Sequence, residues 1–309
     1  MQRKLRKLKT GANVIEAKQL NTIRDFIRFA VSQFGQAQIY FGHGTDNAWD
    51  EAVYLILHTL HLPQNIDASV LDAVLMTSEK QAILKIINRR VKERIPAAYL
   101  TQEAWFAGLS FYVDERVLIP RSPMAELIQK RFTPWVDPKK VKRILDIGTG
   151  SGCIAISCAY AFPNATIDAV DISPRALKVA AINCAKHNCT KQVRLLQSDL
   201  FSALKNATYD IIISNPPYVG KAEMQLLPKE YRHEPSGALL AGKNGDEVIE
   251  VILKAAPKHL SSAGILVVEV GNSETVVLQK YSHLPFTWLE FEEGEAEVFL
   301  LTADQFPGH

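Results

Sequence analysis

An apolar, strand-like stretch of the chain ends in the four residues Asn215-Pro216-Pro217-Tyr218, which we call the NPPY segment. Its two prolines have fixed φ angles and lack N–H donors, so the nearby backbone carbonyls stay free to accept hydrogen bonds. With the Asn215 amide and the Tyr218 ring, they suit a planar group with two N–H bonds, which is an amide or an exocyclic amino group. A plain strand-ending turn has a similar composition, so other motifs must decide between these interpretations.

A glycine-rich loop follows an earlier predicted strand. Its notable residues are Asp146, Gly148, Thr149, Gly150 and Gly152. A helix is predicted to begin near Gly152, so its N–H groups and positive dipole end face the loop. A dinucleotide fingerprint needs its third glycine one position later, where this chain has Cys153. We therefore expect a nucleoside with an amino-acid tail, and not a pyrophosphate, to lie along this loop.

Two aspartates follow the next two predicted strands. Asp171 lies 19 residues after Gly152 (171 − 152), where a carboxylate can accept hydrogen bonds from both ribose hydroxyls. Asp199 can accept a hydrogen bond from an adenine amino group, and we assign Ile172 and Leu200 to the same site. Aspartate is also a common helix cap. However, open α/β sheets bind ligands at the carboxyl ends of their strands, where all these residues are predicted to lie.

The elements that must position these motifs alternate between strand and helix after residue 142. Strands are predicted at 143–147, 166–170, 193–197, 211–214 and 265–270, and helices at 174–187, 247–260 and 273–281. This alternation predicts a parallel sheet with helices on both faces. The segments 286–291 and 297–301 flank Glu292-Glu293-Gly294 and predict a terminal antiparallel hairpin.

The residues before the sheet predict two further parts. An apolar stripe that includes Ile15 and Leu20, a helix at 50–60 and a capping box of Ser78 and Gln81 indicate a small helical bundle. Aromatic and β-branched residues then alternate, with the turn of a β-hairpin predicted at Asp114-Glu115. We therefore predict a helical substrate-recognition domain at 1–95, a hairpin linker at 96–122 and the sheet domain at 123–309.

The start of that sheet domain has its own local signal. Ser122 before Pro123 predicts the cap and first turn of a helix.

Composition and charge are those of an ordinary globular protein. The 309 residues are 47% hydrophobic and 22% charged, and the net charge of +2 neither requires nor excludes a nucleic-acid partner. No segment resembles a signal peptide or a membrane span, so we expect a cytoplasmic protein without membrane contact. Basic residues crowd the start of the chain, which indicates either a solvated terminus or an arm that touches RNA; they are Arg3, Lys4, Arg6, Lys7 and Lys9.

The four cysteines are expected to be reduced, since the chain shows no export signal. Cys184, His187 and Cys189 lie close together in sequence. Three such ligands do not complete a structural zinc site, and their spacing is not the usual one. No metal site is predicted.

The order of the glycine loop, Asp171, Asp199 and the NPPY segment resembles that of the seven-stranded S-adenosylmethionine-dependent methyltransferases over about residues 142–302. The resemblance implies a Rossmann-like sheet, S-adenosyl-L-methionine as methyl donor and S-adenosyl-L-homocysteine as product. It implies that the loop lies along the methionine moiety and that the two aspartates reach ribose and adenine. The NPPY segment would then lie beside the methyl group.

In such a site each residue of the NPPY segment has an expected role. The Asn215 oxygen and the Pro216 carbonyl would accept hydrogen bonds from the target nitrogen, which orients it and builds electron density on it. Pro217 would stiffen the turn, and Tyr218 would pack against the planar group. This is preorganised electrostatic stabilisation, and it needs no strong general base.

Segments outside the sheet narrow the family. Residues 96–101, 105–109 and 117–121 resemble the protein-glutamine N5-methyltransferases, and the likeness covers nearly the whole chain. Residues 41–47, 112–118, 230–235 and 269–273 resemble the branch that methylates a glutamine of large-subunit (50S) ribosomal protein L3, as free protein or during ribosome assembly. Ser122-Pro123 stands where release-factor enzymes usually have Pro followed by an acid. The resemblance also places Arg121 near the cofactor and Phe111 near the substrate.

Other functions stay open at this point. The same tetrapeptide serves N5-methylation of peptide release factors and methylation of adenine N6 or guanine N2, although a nucleic-acid enzyme would favour a basic, aromatic groove. An intact Asn215 and glycine loop disfavour a catalytically silent cofactor-binding or ribosome-assembly module. Cys153 disfavours a hydride-transferring dehydrogenase.

Overall fold

The structure is a computed structural model that describes residues 19–292 and 297–307. The chain packs as two compact units, which divide between Thr101 and Gln102. Predictions that involve Ile15, the basic residues at 3–9, and the turn residues Glu293 and Gly294 lie outside the described residues. The three-part division with borders at residues 95 and 122 stays a prediction.

The first unit is helical. Its helices are α1 (Ile23–Gln36), α2 (Ala48–Thr59), α3 (Thr77–Asn88) and α4 (Ala97–Thr101), with a 3-10 turn at Ala68–Asp72 and a π-helical turn at Arg89–Glu93. Apolar side chains of the first three helices share one core, to which Phe26, Leu55 and Ile83 belong. The predicted helical region is therefore confirmed.

The start of α3 differs from the sequence-based prediction. The capping box predicted at Ser78 and Gln81 is wrong, because the helix already begins at Thr77. The carboxylate of Glu79 accepts a hydrogen bond from the N–H of Met76 at 2.7 Å. A glutamate three residues into the helix satisfies a free N–H of the first turn, so the acid, and not the serine, determines where this helix starts.

The second unit begins with a β-hairpin. Its strands are β1 (Glu103–Phe106) and β2 (Leu109–Tyr112), which pair antiparallel. The turn residues Ala107 and Gly108 both have positive φ, as in the two-residue turns that match strand twist. The turn predicted at Asp114-Glu115 is wrong, because Asp114 lies beyond the hairpin and accepts hydrogen bonds from the backbone and side chain of Arg116.

A seven-stranded sheet forms the body of this unit. Its strands are β3 (Arg143–Ile147), β4 (Thr166–Asp171), β5 (Val193–Gln197), β6 (Tyr209–Ser214), β7 (Leu260–Glu269), β8 (Thr287–Leu289) and β9 (Val298–Thr302). They lie in the order β5-β4-β3-β6-β7-β9-β8. Neighbours from β5 to β7 are parallel, whereas β9 is antiparallel to both β7 and β8. The predicted sheet and its terminal hairpin are confirmed.

Helices cover both faces of the sheet. They are α5 (Met124–Gln129), α6 (Cys153–Ala161), α7 (Pro174–Lys186), α8 (Glu247–Ala255) and α9 (Glu274–Lys280). Side chains of a strand alternate between faces, so Ile211 and Ile213 join one apolar core while Ile212 joins the other. Helix α8 ends earlier than predicted, where a 3-10 turn with Pro257 takes over, because proline lacks the N–H that an α-helix needs.

Among residues 19–292 and 297–307, no helix is both long and apolar enough to cross a membrane.

Candidate active site

The glycine loop connects β3 to α6 and is held against the neighbouring strand. The N–H groups of Gly148 and Thr149 both donate to the carbonyl of Val170 in β4, at 2.9 Å. Gly148, Gly150 and Gly152 all have positive φ, a backbone conformation that residues with a side chain adopt only at an energetic cost. A Cβ on Gly152 would lie 3.3 Å from Ala180 of α7, whereas one on Gly148 would have the Asn215 carbonyl oxygen, 3.8 Å away, as its nearest atom. Gly152 therefore permits helix packing, and Gly148 leaves open space beside the NPPY segment.

Asp146 lies buried beneath this loop. Its Oδ2 accepts hydrogen bonds from the Thr149 hydroxyl at 2.5 Å and from the Ala155 N–H of α6 at 3.2 Å. Its Oδ1 is enclosed and has no hydrogen-bond partner within the described part of the chain. Burial raises the pKa of Asp146 to about 7, although the two hydrogen bonds oppose the shift. Asp146 therefore fixes the loop and keeps one acceptor unused.

Asp171, at the end of β4, is part of the same loop structure. Its carboxylate accepts hydrogen bonds from the N–H groups of Gly150 at 2.9 Å and Ser173 at 2.8 Å. Burial raises the pKa of Asp171, and these two bonds partly offset that effect. Each carboxylate oxygen has a second lone pair, so Asp171 can still accept from a ligand. The next side chain, Ile172, is apolar yet 65% exposed.

The turn after β5 carries Asp199 and Leu200. The hydroxyl of Ser198 donates to the Leu200 carbonyl at 2.7 Å and accepts from the Ala203 N–H at 3.0 Å, which fixes the turn. Leu200 has a φ of 47° and packs on the core, whereas Asp199 is exposed. The structure therefore brings both predicted aspartates to the carboxyl ends of adjacent strands.

The NPPY segment follows β6, which lies beside β3. The hydroxyl of Ser214, the last residue of β6, donates to the Ile147 carbonyl at 2.9 Å, so the strand ends that carry the two motifs are bonded together. A small pocket opens at this point. It is lined by Leu118, Arg121, Asn215, Pro216, Tyr218, Val219, Ala238 and Leu239.

Tyr218 is held in one place by close backbone approach. Its carbonyl accepts a hydrogen bond from the Ser273 hydroxyl at 3.0 Å, and its own hydroxyl donates to Glu269 at 3.1 Å. A Cβ on Gly271 would lie 2.4 Å from the Tyr218 ring, and one on Gly245 would lie 2.3 Å from the Tyr218 carbonyl oxygen. Both glycines are therefore required for this position of the tyrosine.

Glu269, at the end of β7, is a site residue that the sequence-based analysis did not identify. Its side chain is buried and accepts hydrogen bonds from the hydroxyls of Ser122 and Tyr218. Burial raises the pKa of Glu269, while hydrogen bonds from Ser122, Tyr218 and Asn215 and the charge of Arg121 oppose the shift. An acid directly after the apolar run at 265–268, at the carboxyl end of the strand, was the signal that could have identified it.

Arg121 lines the pocket and forms an ion pair with Glu234. Its guanidinium donates two hydrogen bonds to Glu234, at 2.6 and 2.9 Å, and lies 5.3 Å from the Tyr231 ring centroid. Burial alone would lower the pKa of Arg121, but the charge and hydrogen bonds of Glu234 raise it above its usual value. The same Glu234 carboxylate accepts from the Ile119 N–H at 3.0 Å. Arg121 thus lies with the NPPY segment, and its predicted cofactor contact stays a prediction.

Phe111 is not brought to this pocket. It is fully buried in the core shared by β2 and the sheet, and its ring lies 4.9 Å from that of His187. Its hairpin is tied to α7 by Asn183, whose amide bonds the N–H and carbonyl of Tyr112 at 2.7 and 2.9 Å and the carbonyl of Ser151 at 2.8 Å. The hairpin therefore supports the glycine loop, and the predicted substrate contact of Phe111 stays a prediction.

Sequence similarity to known proteins shows which family the chain belongs to. A ribosomal protein uL3 glutamine methyltransferase from Bordetella pertussis is 50% identical over 93% of this chain and 97% of its own length. A protein of the same name from Neisseria meningitidis serogroup B is 51% identical over 94% of this chain and 96% of its own length. The chain belongs to the uL3 glutamine methyltransferase family. The resemblance inferred from the sequence is confirmed.

Membership in the uL3 glutamine methyltransferase family agrees with two coarser comparisons. The Methyltransferase small domain matches residues 129–229, which include the glycine loop, both aspartates and the NPPY segment. The solved hMettl16 catalytic domain, in complex with the MAT2A 3′UTR hairpin 6, has a TM-score of 0.50 and 17% identity over 76% of this chain and 86% of that chain. At this identity the likeness supports the fold alone.

Within residues 19–292 and 297–307, no group of three or more His, Cys, Asp or Glu side chains could hold a metal ion. The four cysteines are buried and unbridged.

Proposed function

We propose that this family member transfers a methyl group from S-adenosyl-L-methionine to the side-chain amide nitrogen (N5) of a glutamine in ribosomal protein uL3. The observation that carries the proposal is an identity of about one half, over nearly the full length, to proteins that bear this name. The site supports it, because the NPPY segment lies directly against the glycine loop.

The methionine side of the cofactor fits the glycine loop. Gly148 and Gly150 leave room for a ligand against the backbone. Asp146 Oδ1 is a buried acceptor with no partner in the described residues, which suits a ligand that brings an ammonium group. When bound, S-adenosylmethionine supplies an electrophilic methyl group on a positively charged sulfur. Thr149 and Gly152 keep the loop in the conformation that this fit requires.

The nucleoside side fits the ends of β4 and β5. Asp171 retains the capacity to accept hydrogen bonds from ribose hydroxyls. Exposed Ile172 offers an apolar surface to an adenine ring, with Leu200 at the neighbouring turn. Exposed Asp199 can accept from the adenine amino group.

The NPPY segment acts on the glutamine amide. An amide nitrogen is a poor nucleophile, because its lone pair is delocalised into the carbonyl. Asn215 Oδ1 and the Pro216 carbonyl accept hydrogen bonds from its two N–H groups, which orients the nitrogen and raises its electron density. Pro217 stiffens the turn, and Tyr218 packs against the planar amide. The proton leaves after methylation, when the nitrogen has become acidic.

Several features of the wider function stay predictions. They are recognition of the substrate by the helical residues before 95, contact of basic residues 3–9 with RNA, methylation during ribosome assembly, and a cytoplasmic location.

The direct test is to incubate the protein and labelled S-adenosylmethionine separately with ribosomal protein uL3, a peptide release factor and bare nucleic acid. Mass spectrometry then maps the product. We expect one methyl group on a glutamine side chain of uL3. Label on a release-factor glutamine alone would contradict the proposed substrate, and label on a base would contradict methylation of protein.

A further inference from the structure

Glu269 is a buried carboxylate with no role in the chemistry described so far. It ends β7, and its neighbour Val268 pairs with Ser214, the residue just before the NPPY segment. Its side chain is only 2% exposed. The register of two parallel strands therefore places the carboxylate beside Asn215.

Two hydroxyl groups donate hydrogen bonds to this carboxylate, and the Asn215 amide lies beside it. The Ser122 hydroxyl donates to Oε2 at 2.5 Å, and the Tyr218 hydroxyl donates to Oε1 at 3.1 Å. The Asn215 side chain lies close enough to lower the pKa of Glu269, as a hydrogen-bond donor does. Ser122 lies 147 residues from Glu269 in sequence, so the carboxylate connects the segment before α5 to the ends of β6 and β7.

The chemistry of these groups determines which way the Asn215 amide points. An ionised carboxylate accepts hydrogen bonds and has none to donate. Asn215 must therefore turn its NH2 group toward Glu269, which directs its oxygen away from the carboxylate. With the opposite orientation, two oxygens would face each other in a buried site, which is costly. The orientation that satisfies Glu269 leaves Oδ1 available to accept a hydrogen bond.

We propose that Glu269 is a positioning residue that fixes the orientation of the Asn215 amide, so that its oxygen and not its NH2 group faces the methyl-accepting nitrogen. This role rests on the proposed function, because it assumes that the acceptor presents N–H groups. The Ser122 hydroxyl holds the carboxylate of Glu269 in place, and the Tyr218 hydroxyl donates to the other carboxylate oxygen.

The charge of Glu269 matters for this role. Arg121 and Tyr218 are the charged and titratable groups that act on it, and Arg121 is itself paired with Glu234. Because the pKa of Glu269 is raised, the carboxylate becomes protonated at a pH above the ordinary range for glutamate. A protonated group no longer requires the NH2 of Asn215, so turnover should fall as the pH decreases through that pKa.

The test compares Glu269→Gln with the unsubstituted protein, using uL3 and S-adenosylmethionine. Glutamine keeps the shape but presents only one acceptor oxygen, so at least one of the three donors loses its partner. We expect kcat to fall by about 10- to 100-fold, with the Kd for the cofactor unchanged and the KM for uL3 changed by less than about threefold. The decrease of kcat at low pH should disappear in Glu269→Gln, which has no carboxylate to protonate. Glu269→Asp, which keeps the charge, should recover part of the turnover.

A matched control separates positioning from general destabilisation. Asp168 in β4 is also a buried carboxylate, and it accepts hydrogen bonds from Arg194, Arg143 and Tyr209. Asp168→Asn should lower Tm and leave kcat unchanged. A kcat of Glu269→Gln within about threefold of the unsubstituted protein, or equal losses of kcat in both variants, would overturn the positioning role.

A second readout does not depend on catalysis. The Asn215 NH2 resonances can be assigned as the pair lost in Asn215→Asp, and they should shift in Glu269→Gln but not in Asp168→Asn. Unshifted resonances contradict the proposed contact, whatever the substrate. If Glu269→Gln fails to fold, Ser122→Ala removes one donor and should reduce kcat by about 3- to 10-fold, and an unchanged kcat there is contrary to the positioning role. Failure of the unsubstituted protein to methylate uL3 contradicts only the proposed function.

Discussion

The cofactor side and the acceptor side of the site are built from different kinds of contacts. On the cofactor side the bonded partners are near in sequence: Thr149 and Asp146 are 3 residues apart, and Gly150 and Asp171 are 21 apart. On the acceptor side, Arg121 and Glu234 are 113 apart, and Ser122 and Glu269 are 147 apart. Those cofactor-side bonds join two adjacent strands and the loop between them, whereas the acceptor-side bonds join segments from nearly the whole sheet unit.

This difference predicts separate consequences of substitution. Changes beside the glycine loop should weaken cofactor binding, and changes around the NPPY segment should lower turnover with the cofactor still bound. Four predictions test that separation.

The largest effect is expected for Asn215→Ala. The variant loses the side-chain oxygen that accepts from the target nitrogen, and turnover should fall by at least ~100-fold. The Kd for S-adenosylmethionine, measured by calorimetry, should stay within about threefold. Asn206→Ala, at an exposed loop position, is the control. Near-normal turnover, or a cofactor Kd that weakens in step with turnover, would contradict the separation.

Asp171→Ala should have the next largest effect, on binding. The variant removes a charged acceptor for ribose and the partner of the Gly150 N–H, and hydrogen bonds to charged groups contribute about 1.5–3 kcal/mol. We expect the cofactor Kd to weaken by about 10- to 100-fold, with kcat at saturating cofactor largely retained. The exposed Asp137→Ala should change neither quantity, and a loss confined to kcat would argue against a binding role for Asp171.

Gly271→Ala should affect the acceptor side more moderately. A methyl group there would lie 2.4 Å from the Tyr218 ring, so the ring must move. We expect kcat to fall by roughly 10-fold, as misplacement of a substrate-positioning group allows, with little change in cofactor Kd. Gly237→Ala has no atom within 4 Å of the new Cβ and serves as the control. Equal kinetics of the two variants would show that the position of Tyr218 does not matter.

The smallest effect concerns pH. Because the pKa of Asp146 is about 7, its negative charge appears as the pH rises from 6 to 7.5. Affinity for the cationic cofactor should then increase by roughly five- to tenfold. The ligand-free protein should lose stability over the range from pH 4 to 7, since the folded state retains a proton that the unfolded chain releases. Asp146→Asn should make the affinity independent of pH, and a persisting rise would assign it to another group.

The same contrast explains what the sequence could predict. The glycine loop, Asp171 and the strand bounds at 143–147 and 193–197 were predictable, because periodicity and local motifs specify them. The hairpin turn at Ala107 and Gly108 was missed, because neither Ala107-Gly108 nor the predicted pair Asp114-Glu115 is a strong turn sequence. Glu269 was also missed, because its partners come from distant parts of the chain.

Residues with a default structural role were the hardest to assign. Phe111 has no polar group, and only packing shows that it lies in the core. Arg121 could be read as a free charge until the fold supplied Glu234 as its partner. Tertiary pairing of this kind leaves no periodic pattern in the sequence.

The amide of Asn183 has a consequence for how the catalytic unit could be cut out of the chain. It satisfies the backbone of Tyr112 on one side and the Ser151 carbonyl on the other. A fragment that starts at residue 123 would lose two of that amide's three hydrogen bonds, together with the hairpin that supports the glycine loop. A fragment that starts at Gln102 keeps all three hydrogen bonds of Asn183. We therefore expect this fragment to bind S-adenosylmethionine, and the one that starts at residue 123 to fail.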